Sequence, residues 1–160
     1  MLPEKIHVAL NHLPLIGFAL ALIPLLWGVV SKHLKLTQCG ILLVIVSGVS
    51  TGLIMGSGEE AGERYRDDPD AFSLDSAARE VIEEHDEIAH QGSKLFYATT
   101  GLGVVAFALT FFKPVWYRYS TGVMILLCIS SIILAVIIAD SGGKIRRPDF
   151  REEKTQTESL

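Results

Sequence analysis

Four stretches, residues 8–30, 39–57, 95–112 and 121–139, run for 18 residues or more without a single Asp, Glu, Lys or Arg. A hydrocarbon core of about 30 Å takes roughly 20 apolar residues of helix to cross. Inside it every backbone donor and acceptor must find a partner within the protein, which leaves helices or closed barrels. Uninterrupted runs of this length select helices. The sequence therefore predicts an all-α integral membrane fold, a four-transmembrane-helix bundle, with the whole chain 1–160 forming one membrane domain. The first run is polar only at Asn11 and His12. It exceeds the core of a cleavable signal and lacks a basic leader, so it reads as a retained anchor. The third run is the shortest and its boundary the softest.

Charge is segregated in the same way. The loop 58–93 holds twelve carboxylates and three arginines. The two short connections carry the opposite sign and no acid, with Lys32 and Lys35 in one and Lys113 and Arg118 in the other. Lys and Arg mark the cytoplasmic side of a multi-pass chain. The expected location is a bacterial inner membrane, with both termini, the acidic loop 58–93 and the tail 140–160 outside. Aromatic belts fit that orientation, with Trp27, Trp116, Tyr117 and Tyr119 at the inner interface and Phe96 and Tyr97 at the outer. A net charge of −4 with no basic stripe excludes nucleic acid as a main partner. The expected partners are the lipid bilayer, a redox partner or larger membrane complex, and a second copy of the chain.

Gly48, Gly52 and Gly56 repeat at four-residue spacing and predict a face that a neighbouring helix approaches closely. Packing within the bundle is the favoured use of this face, ahead of dimerisation. Pro14 removes a helix hydrogen bond and frees the carbonyl of Leu10, close to Asn11 and His12. Asn11 is placed to satisfy part of that opening. Before the third span, Asp75 is a candidate N-cap. Ala78, Val81, Ile82, His85, Ile88 and Ala89 follow as one apolar stripe at helical spacing. This predicts an amphipathic helix outside the membrane that extends or precedes the third span, hinged at Gly92 and Ser93. Residues 58–73 read as a solvated connector with one short helical piece at 60–66.

Four of the five histidines, His7, His12, His85 and His90, fall on the acidic side, and His33 lies in a basic loop. Each pair is spaced by five, about 140° on a helix, so one member of each should face inward. His85 interrupts an apolar stripe and His12 lies within an apolar run, which selects those two. Ionisable groups at membrane depth are functional candidates by default. His12 and His85 are the expected axial ligands of a single b-type haem. A non-haem metal is the alternative, drawing on His7, His12, His85, His90 and Glu60. Glu4-x-x-His7 and Glu87-x-x-His90 match the spacing of carboxylate-bridged di-metal bundles, with Glu59, Glu63 and Asp140 as further oxygens. A third reading leaves the histidines as structural hydrogen-bonding groups in an accessory subunit of a membrane complex. Cys39 and Cys128 read as small buried hydrophobes, and Ser50, Thr51 and Ser57 as hydroxyls bonded back to their own helix. Nothing marks an activated nucleophile, so no stand-alone enzyme is expected.

Four segments occur in order along the chain: His7-Val-Ala-Leu-Asn-His-Leu-Pro14, Gly58-Glu-Glu-Ala61, Glu84-His-Asp86 and Gly142-Gly-Lys-Ile-Arg146-Arg-Pro-Asp149. With them the chain resembles a bacterial family of small four-span membrane proteins of unknown function, similar in layout to small b-type cytochrome bundles. The resemblance implies one site built from the first span, the acidic loop, the helix before the third span and the tail. Arg147 stands where the family pattern has histidine. Arg146 matches the pattern, which implies an ion pair with a loop carboxylate such as Glu60 or with a haem propionate.

Overall fold

The computed structural model describes residues 3–68, 72, 74–75, 77–112 and 115–151, with only the backbone of Pro3, Glu4 and Ile6. Five helices account for nearly all of it. They are α1 (Pro3–Leu10), α2 (Leu13–Val30), α3 (Leu34–Asp67), α4 (Ala78–Phe112) and α5 (Trp116–Arg146), followed by a short 3-10 turn at Pro148–Phe150. Four candidate spans, beginning at His7, Leu34, Ala78 and Trp116, are long and apolar enough to cross a membrane. The molecule is an all-helical multi-pass membrane bundle.

The chain runs up and down around a ring in which α2 packs on α3, α3 on α4, α4 on α5 and α5 back on α2, while α1 lies against α3. Antiparallel neighbours follow from the short connections. Phe18, Leu25, Ile41, Val44, Met124 and Cys128 fill the centre with almost no exposure. Phe18 meets Phe96 at a ring separation of 5.5 Å. Phe96 is therefore a core residue and not a belt marker, while Tyr97, Trp27, Trp116 and Tyr119 do face outward. Cys39 also points out of the bundle, contrary to the buried role expected of it.

Close approaches at glycine and hydroxyl positions fix the register. A β-carbon on Gly48 would fall 2.8 Å from the β-carbon of Thr100 and 3.3 Å from the carbonyl oxygen of Phe96. Gly62 faces the Asp86 carboxylate on the same pair of helices. Ser57 of α3 is thus level with about residue 91 of α4. The glycine face divides along its length, since Gly48 is buried while Gly52 and Gly56 are exposed. Only the first of the three serves the packing expected of all. Ser47, Ser50 and Ser57 do bond back to carbonyls of their own helix. Thr51 departs from that pattern, its buried hydroxyl having no partner among the described residues.

Two segments differ from the sequence expectation. The stretch from Gly58 onward continues α3 without a break to Asp67, in place of a connector. It stays helical because it lies along α4, where the buried Gly62 admits Asp86. Gly92 and Ser93 form no hinge, and α4 passes straight through them. Gly92 is instead a contact point, since a β-carbon there would sit 2.6 Å from Ile138 Cδ1. The amphipathic segment therefore stands up as a continuation of the span. Asp75 accepts the Ala77 amide at 3.0 Å in the turn before α4, two residues short of the N-cap position expected of it, because the first helical hydrogen bond runs from Val81 to the Ala77 carbonyl. Ser73 and Ser76 lie outside the described residues.

The first run is broken at its start. Residues 11–12 form a turn between α1 and α2, and Pro14 follows at the first turn of α2. The missing proline amide makes that break inexpensive. It lets α1 fold onto α3, which decides where His7 goes.

Candidate functional site

The acidic end gathers α1, the upper turns of α3 and α4, and the last turns of α5. His7 sits on α1 with its Nδ1 3.1 Å from the carbonyl oxygen of Ile54. A carbonyl only accepts, so His7 Nδ1 is the donor in this bond. The ring lies against the backbone of Gly58, where a β-carbon would come within 2.9 Å of Cε1. The glycine that opens the Gly58-Glu-Glu-Ala61 segment thus makes room for an imidazole.

His85 repeats the arrangement on α4. Its Nδ1 is 2.8 Å from Ser141 Oγ. Ser141 donates its one proton to the Ile138 carbonyl, also at 2.8 Å. Toward His85 the hydroxyl must therefore accept, which again protonates Nδ1 and leaves the Nε2 lone pair free. The ring rests on Gly142, where a β-carbon would lie 3.0 Å from Cε1. Both imidazoles are thus anchored through Nδ1, each tied to its neighbour there and seated on a glycine.

His85 lies beyond the apolar run 95–112, about 9 Å above the level of Ser57 at 1.5 Å per residue. It is only 9% exposed. Burial pushes its pKa down to about 4, and the nearby His7 would add to the effect if charged. Asp86, the next residue, faces partly outward over Gly62. Burial raises its pKa, and the charges of Arg66 and then His7 pull the other way. Glu59 and Glu83 add to the rise. The result is two imidazoles under a mixed rim of Asp86, Glu59 and Arg66.

Comparison with known proteins gives no match to a family model, a curated protein or a solved structure. The site therefore stands on its own geometry.

That geometry redistributes the residues selected from sequence. His85 is buried as expected. His12 is not, because it stands exposed in the turn before α2 with its Nδ1 held by the Asn11 amide oxygen. The turn that frees α1 rotates His12 out and carries His7 in. His90 and Glu60 are exposed on the outer surfaces of α4 and α3, and Arg146 is exposed at the end of α5. The Glu4 side chain of the Glu4-x-x-His7 spacing lies outside the described residues. Among the described residues, no group of three or more His, Cys, Asp or Glu side chains is close enough to hold a bare metal ion.

Three participants had no role assigned from sequence. Ser141 sets the His85 tautomer, and a lone hydroxyl just before Gly142-Gly143 was its only signal. Arg66 enters beside Asp86. Arg151 takes the part expected of Arg146, with Nη1 2.7 Å from Asp75 and two further donors on the carbonyls of Lys144 and Ile145. It ties the end of α5 to the start of α4. Arg147 pairs locally with Asp149.

Proposed function

We propose that this membrane bundle carries a single b-type haem at its acidic end, where His7 and His85 would hold the iron, and works as a one-electron carrier. The observation that carries the reading is the matched pair of Nδ1 anchors. Ligating histidines are ordinarily held through Nδ1 by a carbonyl or another acceptor, which fixes the ring and frees Nε2 for the metal. Ile54 and Ser141 supply those anchors here. The donor count points the same way. Among the described residues the two imidazoles have no third donor close enough to share a bare ion, which suits a macrocycle-bound iron better than a free one. Such a group would supply reversible one-electron chemistry. Arg66 is the cation placed to neutralise a propionate, and the low His85 pKa keeps that imidazole a ligand at neutral pH. The His12–His85 pairing expected from sequence lacks this support, because His12 is exposed and held by Asn11. The distribution of Lys and Arg supports placing this end on the non-cytoplasmic side of a bacterial inner membrane, where a soluble or membrane-bound redox partner would meet it.

The test is an absorption spectrum of detergent-purified protein from haem-fed cells, as isolated and after dithionite. The expected result is a sharp reduced α band of b type. Alanine at His7 or at His85 should each abolish it, while His12→Ala leaves it in place. A featureless spectrum sinks the haem reading, and a band that survives loss of His7 sinks the ligand pair.

A further inference from the structure

At the opposite, basic end of the bundle the last turn of α2 and the first turn of α5 enclose a cavity of about 450 Å³. We infer that this cavity binds the phosphate headgroup of an anionic phospholipid, held by Lys32 and Arg118. Val29 and Val115 form its apolar wall, and Tyr117 and Tyr119 complete the lining. An anion is favoured by charge. Residues 31–38 and 113–120 contain no acid at all. Among the described residues neither Lys32 nor Arg118 pairs with a carboxylate. A lipid is favoured over a free anion by the rest of the lining. Two valines facing outward between helices suit an acyl chain, and tyrosines at this depth are the usual companions of headgroups.

The backbone at Lys32 adds an independent observation. α2 closes with His33 donating to the Gly28 carbonyl at 2.9 Å and Lys32 donating to Val29 at 3.3 Å. This is the Schellman pattern, whose residue after the cap adopts the left-handed conformation and is usually glycine. Lys32 occupies that position at φ 55°, and among the described residues no other non-glycine has positive φ. A β-carbon is disfavoured there. Lys32 thus sets a cation at a position whose backbone favours glycine, and it lines the cavity together with Arg118.

The substitution Lys32→Gly separates a binding role from a structural one, because the two move in opposite directions. The protein is purified in neutral detergent, and its unfolding temperature is followed as phosphatidylglycerol, phosphatidylcholine or inorganic phosphate is added. Wild-type protein should be stabilised by phosphatidylglycerol but by neither of the others. Lys32→Gly should unfold at the same or a higher temperature without lipid, because glycine suits the left-handed turn. Its affinity for phosphatidylglycerol should fall about fivefold, as should that of Arg118→Gln. If Lys32→Gly does not fold, Lys32→Gln carries the same expectation for lipid. Unchanged phosphatidylglycerol binding in these variants, or equal stabilisation by phosphatidylcholine, overturns the inference. Full stabilisation by inorganic phosphate alone replaces the lipid with a free anion and overturns it too.

Discussion

Acidification of cofactor-free protein from pH 7 to pH 4 should remove on the order of 3 kcal/mol of stability through His85 alone, at 1.36 kcal/mol per pKa unit. The folded-state pKa is depressed from 6.5 to about 4 by burial. Above 6.5 the ring is neutral both folded and unfolded, and the group contributes nothing to pH dependence. Below 6.5 the unfolded chain takes the proton first, which favours unfolding. The loss grows until the folded state also protonates near 4, and then levels off. Asp86 acts in the opposite sense, because its pKa is raised and its protonation relieves a cost of folding. Its relief comes as pH falls through that raised value, so the steepest net loss should lie in the upper part of the window. Unfolding temperature measured against pH in neutral detergent checks this. His85→Gln keeps much of the side-chain volume and should flatten the profile. A profile equally steep in the variant would show that another group controls it.

Gly48→Ala should cost about 2 kcal/mol, the middle of the range for overpacking a close contact. Gly56→Ala, two helical repeats along the same stripe, should cost nothing or add a few tenths of a kcal/mol, as alanine does in a helix. The contrast rests on what a β-carbon would meet. At Gly48 it would lie 2.8 Å from Thr100 Cβ, which no rotamer change can move away, whereas at Gly56 nothing among the described residues lies within 4 Å. Denaturant titration of both variants in the same detergent measures the difference. Equal losses at both positions would mean that Gly56 also packs against a neighbour, which none of the described residues supplies.

The spans were legible because hydrocarbon leaves a compositional mark that no tertiary contact erases, and the charge blocks were legible for the same reason. Register between helices was not. His12 lies inside the first apolar run and His7 just before it, which favours His12. The choice is reversed by the turn at residues 11–12, whose consequence depends on α1 finding α3. The acidic run after Gly58 has the composition of a loop, yet Gly62 opposite Asp86 holds it helical. Gly92 looked like a hinge because glycine is permissive. Here it is needed for its small size, against Leu134 and Ile138. His85 was found because one polar residue in an apolar stripe is a strong signal, and Ser141 was missed because its role exists only once α5 lies beside α4.

The height of the imidazole pair sets its relation to the membrane potential. α3, α4 and α5 all remain helical beyond their apolar runs, which lifts His85 about 9 Å above the level of Ser57. The potential falls across the hydrocarbon, where each elementary charge is worth about 2.3 kcal/mol per 100 mV. A charge that reaches His85 from the acidic side and leaves by the same side crosses almost none of that drop. Under the proposed redox role, exchange with a partner on that face would be indifferent to voltage. Only transfer down the bundle toward Lys32 and Arg118 would be coupled to it.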